Sequence, residues 1–273
     1  MPNAQEYKGR SPHKILVLAP TGHGKTSQFL TLPGKKFIYL FDPNAILTLR
    51  GHDVEYEEFL PDAIPLTVHS LSKEVNKAIP KTKMKSVRYE EWEADFNDKM
   101  ARNYFDQFDW LGIDSCTTLL DLIMDRVLTL NGRYGQWPHE DDYGPQMITF
   151  KNLVREWTSL GKGIYFTGHL DIRQDQITKR VWENPMMTGR LRQQIPLMFS
   201  DIFSIVSEPD KDGKQQYLLR TTNDRTQQFH RTSMHLDPFE NVTIDWKQPV
   251  EGQGLGDIIN SWARKQGALT VVK

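Results

Sequence analysis

Lys14-Ile-Leu-Val-Leu-Ala-Pro-Thr-Gly-His-Gly-Lys-Thr26 is the stretch that decides the fold. Its first part, Lys14 to Ala19, is a continuous apolar run, the pattern of a strand buried on both faces of a parallel sheet. Pro-Thr-Gly ends the run, and a helix is predicted to start at Lys25 and to stop before Pro33-Gly34. Between strand and helix, Ala19 to Thr26 fits the phosphate-loop pattern, with Ala in place of the first Gly. Gly22 and Gly24 let the backbone wrap so that its N–H groups point inward at a β-phosphate. Lys25 supplies positive charge to β- and γ-oxygens, the Thr26 hydroxyl suits Mg²⁺, and the positive end of the helix faces the same phosphates. The expected nucleotide-binding set is Pro20, Thr21, Gly22, His23, Gly24, Lys25, Thr26 and Ser27.

Such a loop needs an acid across the site to hold the metal's water shell. Asp114 ends the apolar run Trp110-Leu-Gly-Ile-Asp114, with Ser115 beside it, and is the second expected metal residue after Thr26. An Asp at a strand end also serves as a helix cap, but the apolar strand before it and the several βα units separating it from Lys25 favour the metal role. Lys36-Phe-Ile-Tyr-Leu-Phe41 reads as a strand closed by Asp42-Pro43, and Gly163-Ile-Tyr-Phe-Thr167 as another. Helices are expected from Tyr89 to about Phe105, Thr117 to Leu130 and Met147 to Leu160. Arg50 to Pro65 reads as acidic and irregular, with a short strand over Leu66 to His69. After a long polar loop, Asp201 to Ser207 and Tyr217 to Thr221 form two strands around Asp210-Lys-Asp-Gly213. Strands alternating with helices imply an α/β fold with a mostly parallel sheet and right-handed crossovers, the late hairpin adding antiparallel strands at one edge.

The chain has 273 residues, above the usual single-domain size and below two comfortable domains. The division expected is a flexible segment over 1–13, a core over 14–249, and a helix and tail over 250–273. That helix, Leu255 to Lys265, carries Leu255, Ile258, Ile259 and Trp262 on one face, for docking on its own core or on a neighbour. Lys and Arg number 34 against 35 Asp and Glu, so no global basic field advertises nucleic acid. Locally, Lys73 to Arg88 carries six Lys/Arg and one Glu, followed by five acids from Tyr89 to Asp98. This switch reads as two solvated faces or as a basic strip on a nucleic-acid path. With 38% hydrophobic residues and no apolar stretch near the roughly 20 residues of a membrane span, no membrane association is expected. Met1 to Lys14 has no apolar signal region, and the only cysteine, Cys116, excludes an internal disulfide. A cytoplasmic location is expected.

The phosphate loop, Ile113-Asp-Ser115, Tyr143-Gly-Pro-Gln146 and Tyr165-Phe-Thr-Gly-His169 together resemble the RecA-like branch of phosphate-loop proteins. More closely, the chain looks like the short phage ATP-binding proteins of the AAA-domain class that include RecA-core single-strand annealing proteins. The resemblance spans about Lys14 to Thr232. It implies a RecA-like ATPase binding ATP and Mg²⁺, located in the host cytoplasm if phage-encoded. It also implies a γ-phosphate switch residue at His169, a position otherwise read as a capping or core histidine. The family's DNA loops would fall at Asn131 to Gln146 and Leu170 to Gln194. The second holds Arg173, Lys179, Arg180, Trp182, Arg190 and Arg192, basic groups and an aromatic suited to a single strand. Its excess of positive charge is only two. The first has Arg133, Tyr134 and Trp137 but is net negative; Trp137 and Trp182 can alternatively pin loops to the core.

Two departures stand out. RecA carries a catalytic Glu in the segment Phe-Ile-Asp-Ala-Glu, where this chain reads Leu40-Phe-Asp-Pro-Asn44. Asn cannot accept a proton, so hydrolysis is expected to be slow or DNA-stimulated, or to use Asp42. RecA's extra terminal domains also have no equivalent length, which suits annealing or a helper role rather than full strand exchange. A cation from a neighbouring subunit often meets the transition-state charge. Of Arg220, Arg225 and Arg231, Arg231 fits best by position, and would require a homo-oligomeric ring or filament. A single-strand-binding protein is a further candidate partner. The competing readings are an ATP-driven motor or loader acting on duplex DNA or a protein, a small-molecule phosphotransferase, and a binding module without turnover.

Overall fold

The structure, a computed structural model, describes residues 12–63 and 85–271, with side chains described to residue 266. The strand expected over Leu66 to His69 and the basic strip from Lys73 as far as Lys83 lie outside the described residues. The end of that strip is neutralised: Arg88 donates from Nε to Asp62 at 3.0 Å and from Nη1 to Glu91 at 2.7 Å.

Among the described residues six strands run parallel, and the first five in the chain are β1 (Lys14–Leu18), β2 (Lys36–Leu40), β3 (Glu55–Glu58), β4 (Trp110–Asp114) and β5 (Gly163–Gly168). A separate antiparallel hairpin follows, β6 (Leu170–Gln174) with β7 (Val181–Pro185). The main sheet is completed by β8 (Asp201–Pro209), β9 (Gln215–Arg220) and β10 (Phe239–Asn241), in the order β10-β9-β8-β1-β5-β4-β2-β3. Pairings from β3 across to β8 are parallel, and β8-β9 and β9-β10 are antiparallel. This is the expected fold class: a mostly parallel sheet flanked by helices, antiparallel at one edge.

Alternation along the strands divides the core in two. Leu16 and Leu18 of β1 face one layer; Ile15 and Val17 face the other. The first layer is covered by α3 (Arg88–Ala101), α4 (Cys116–Leu130) and α5 (Tyr143–Ser159), and is aromatic: Phe96 stacks on Trp157 at 5.4 Å. The second is covered by α1 (Lys25–Thr31) and α7 (Gly254–Val271), with the short α2 (Ile46–Leu49) alongside. One more short helix, α6 (Leu191–Gln194), precedes β8.

Several boundaries differ from the sequence expectations. Glu55-Tyr-Glu-Glu58, expected to be irregular, is an edge strand exposed at every residue, so its composition carries no apolar signal. The loop expected after His169 folds into β6 and β7. Its Asp175 carboxylate accepts from Ile177 N and Thr178 N at the turn, and Lys179 takes φ 58°. The helix expected to reach Phe105 stops at Ala101, where Asn103 turns left-handed at φ 55° and Tyr104–Gln107 continues as a 3₁₀ turn. The helix expected from Met147 begins at Tyr143, since Pro145 is tolerated in a first turn. No helix among the described residues is long and apolar enough to cross a membrane.

The C-terminal helix packs against α1, with Leu255 and Ile259 buried. Gln28 Oε1 accepts from Leu255 N at 3.0 Å, and Thr31 Oγ1 accepts from Gly256 N at 3.0 Å. A Cβ at Gly256 would lie 1.8 Å from the Thr31 carbonyl oxygen. Gly256→Ala must therefore push the two helices apart, at a cost of about 1–3 kcal/mol. Thermal denaturation is expected to show a melting temperature lower by several degrees; an unchanged value would mean that α7 is not seated in this way.

Candidate functional site

The carboxyl ends of β1, β5, β4 and β2 converge on one cleft, with the phosphate loop as its rim. Gly22 and Gly24 take φ 80° and 78°, the left-handed region open to glycine, and Gly24 caps α1. Thr21, Gly22, Gly24, Lys25, Thr26 and Ser27 line a cavity of about 330 Å³. Pro20 and His23 belong to the loop without lining it: the Pro20 carbonyl accepts from Lys25 at 3.0 Å, and the His23 ring lies 3.2 Å from the Thr21 carbonyl oxygen.

Lys25 is nearly buried, with Nζ donating to the Ala19 carbonyl at 2.9 Å and to Nδ1 of His169 at 3.5 Å. Burial lowers its pKa, and the charges of Asp114 and Asp42 act in the opposite direction. Asp114 is wholly buried at the cleft floor. It accepts from Thr26 Oγ1 at 2.6 Å on one oxygen and from Thr167 Oγ1 on the other. Burial raises its pKa despite these two hydrogen bonds, and nearby Asp42 adds to the rise.

Asp42 is less enclosed. It accepts from Ser115 Oγ at 2.8 Å, from Thr118 Oγ1, and from His169 Nε2 at 3.2 Å. Burial alone would raise its pKa, but the hydrogen bonds from His169, Thr118 and Ser115 prevail and hold the carboxyl below its ordinary value. One imidazole tautomer, protonated on Nε2, satisfies both contacts of His169. Asn44 also lines the cavity, at φ 65°. Asn tolerates this left-handed conformation far better than Glu.

The structure thus brings Lys25, Thr26, Asp42, Asp114 and His169 into one site. Sequence reasoning missed Thr167 and Thr118 as carboxylate partners, although Thr167 lies inside the motif that ends in His169. It also missed the apolar side of the cavity, Tyr217, Val242, Ile244 and Trp246. Those residues come from β9 and from beyond β10, and no local pattern links them to the loop.

The other expected residues lie outside the cavity, several of them on the hairpin that begins after His169. His169 N donates to Thr117 Oγ1 at 3.0 Å, and its carbonyl accepts from Met186 N at 2.8 Å, so this residue roots the β6-β7 hairpin. Arg173 faces Trp182 across the hairpin and donates to Asp171 at 2.6 Å. Arg180 donates to the Arg225 carbonyl at 3.3 Å, Arg192 to the Gly189 carbonyl at 2.9 Å, and Lys179 and Arg190 are exposed. In the other expected DNA loop, Arg133 and Asn131 converge on buried Asp142. Tyr134 is buried, while Trp137 is 70% exposed and does not pin its loop to the core. Arg231 bridges to Ile202, level with Leu16 in mid-sheet. Arg220 pairs with Asp224 and lies over the Phe239 ring.

The AAA-domain family matches residues 11–236. No curated protein matches. Among solved structures, the flagellar accessory protein FlaH from Methanocaldococcus jannaschii aligns at 13% identity and a TM-score of 0.41, covering 87% of this chain and 88% of that one. A KaiC-like protein from Pyrococcus horikoshii aligns at 11% identity and 0.39, covering 76% and 77%.

The opposed environments of the two acids lead to a test. A carboxyl raised by burial is destabilising once ionised, so stability falls as pH rises past its unfolded value. Asp114→Asn removes that charge and keeps an acceptor, and is expected to raise the melting temperature of the nucleotide-free protein at pH 7. Mg²⁺-dependent nucleotide binding should be lost in the same variant. Calorimetry with and without Mg²⁺ and nucleotide checks both; a lower melting temperature would refute the environment described.

Proposed function

The chain belongs to the AAA-domain family, and we propose that it is a Mg²⁺-dependent ATPase that binds single-stranded DNA and assists annealing or homologous recombination in phage-type DNA metabolism. The observation that carries this reading is the position of His169. Its ring contacts Lys25 and Asp42, and its backbone begins the hairpin bearing Arg173, Lys179, Arg180 and Trp182. A change in occupancy of the loop is thereby felt at the root of the hairpin.

The donor set suits Mg²⁺, a hard cation that takes a hydroxyl and one or two carboxylates plus substrate phosphates. Thr26 Oγ1 and Asp114 Oδ2 lie together at the cleft floor, and no group of three or more His, Cys, Asp or Glu able to hold a metal occurs among the described residues. Thr26 and Asp114 would hold the ion, which when bound neutralises phosphate charge. Lys25 exchanges its carbonyl partners for β- and γ-oxygens, while the loop amides meet the phosphates. Asp42, with its lowered pKa, is a weak proton acceptor and orients water rather than deprotonating it. Arg231 is the candidate for supply in trans to a neighbouring copy within a ring or filament. On the hairpin, Arg and Lys meet phosphates and Trp182 stacks a base, with Arg190 and Arg192 flanking.

A second reading, a motor or loader acting on duplex DNA or a protein partner, is favoured by the apolar hairpin surface. Ile177 is 91% exposed and Ile172 61%.

ATP hydrolysis with and without single-stranded DNA separates these readings. Single strands are expected to stimulate turnover, and Lys25→Ala to abolish nucleotide binding. With about four phosphate contacts, the affinity for single strands should fall roughly 50-fold between 50 and 200 mM salt. Arg173→Ala with Arg180→Ala should lose the stimulation and keep basal turnover. Turnover indifferent to single strands but raised by duplex or a protein would establish the second reading.

A further inference from the structure

The cavity continues past the phosphate loop to Gln28, between Thr48 of α2 and the apolar wall of Tyr217, Val242, Ile244 and Trp246. A nucleotide with its phosphates on the loop amides would have room for its ribose and base on this side. Beyond the phosphate loop, the polar side chains that line the cavity on this side are Gln28, Thr48, Tyr217 through its hydroxyl, and Asn44, two residues from Asp42. Both ends of the Gln28 amide are committed: Oε1 to Leu255 N at 3.0 Å, and Nε2 to the Val242 carbonyl at 2.7 Å. The Thr48 hydroxyl has no hydrogen-bond partner among the described residues. Trp246 is 57% exposed and lies 6.0 Å, centroid to centroid, from the ring of His52, so an aromatic surface stands at the cavity mouth beside the end of α2.

We infer that this end of the cavity is a purine subsite that holds the base by stacking on Trp246 and does not distinguish adenine from guanine. The inference rests on the nucleotide-binding reading given above and adds the way in which the base is recognised. Strong discrimination between bases needs a fixed donor or acceptor that the wrong base leaves unpaired. Gln28 is the fixed amide here, and its groups are spent on the protein's own backbone. A hydroxyl is donor and acceptor together and rotates to suit. The Thr48 and Tyr217 hydroxyls can each accept from the 6-amino group of adenine or donate to the 6-oxo group of guanine. What remains is contact with the apolar wall and with the indole face, which every base satisfies in proportion to its area. A two-ring purine fills this space better than a one-ring pyrimidine.

The test is titration calorimetry of the full chain with Mg²⁺ and, in turn, ATP, GTP, CTP and inorganic tripolyphosphate. ATP and GTP are expected to bind within about tenfold of each other, and CTP more weakly. Trp246→Ala should weaken both purine nucleotides by about 5- to 150-fold, the range of a lost base–aromatic stack. Tripolyphosphate affinity should not change, and Trp246→Phe should retain most purine affinity. The residue's exposure makes the substitution mild, and an unchanged melting temperature in both variants verifies the fold. Purine affinity unaffected by Trp246→Ala, or GTP more than about 100-fold weaker than ATP, would overturn the subsite. Failure of all four ligands to bind the wild type would overturn the nucleotide reading with it. Lys25→Ala separates the two readings: loss of binding in that variant, with Trp246→Ala silent, retains the phosphate site and removes the base site.

Discussion

Burying one carboxylate organises the cleft. Asp114 is only 1% exposed at the cleft floor, and an ionisable group so buried is stable only if its oxygens are met by donors. The donors come from two other elements: Thr26 from the helix that begins at the phosphate loop, and Thr167 from the strand that separates β1 from β4. Three chain segments far apart in sequence are thereby held at one depth. The backbone adds to the tie, since Phe41 N donates to the Asp114 carbonyl at 2.6 Å and brings the end of β2 alongside. Asp42, one residue further on, is carried to the cleft by that connection.

From this arrangement follows a division of labour between two acids of the same kind. The deeper one is pushed towards its neutral form by burial. The shallower one is kept ionised by a histidine and two hydroxyls. Neither property belongs to aspartate as such. Each is set by how many donors the neighbouring strands and helices aim at it.

The sequence made the centre of the molecule legible and left its margins obscure. The strands β1, β2, β4 and β5 are apolar runs because both faces are covered, and the loop between β1 and α1 carries its own glycine and lysine pattern. Residues at the ends of those runs, Asp42, Asp114 and His169, could be read because strand ends converge in a parallel sheet. Edge elements obey weaker rules. Glu55–Glu58 pairs with β2 through its backbone alone, and the β6-β7 hairpin is specified by a turn around Asp175 rather than by a core. The wall of Tyr217, Val242, Ile244 and Trp246 was illegible for another reason. Its residues meet the cleft only because the antiparallel edge turns the chain back towards α1, a consequence of tertiary packing with no local signature.

The helix α1 looks in two directions. Its first turn faces the cleft, while Gln28 and Thr31, one and two turns on, hold the backbone of the C-terminal segment. A chain cut after Pro238 would keep the whole phosphate-loop motif yet strip one side from the cleft and leave the Gln28 amide without its partners. Divergence between Val242 and Ile259 is therefore not free to run as in an ordinary appendage. Substitutions at the residues that meet α1 bear on the cleft through it, and Gln28, Thr31 and Gly256 are expected to change together or not at all.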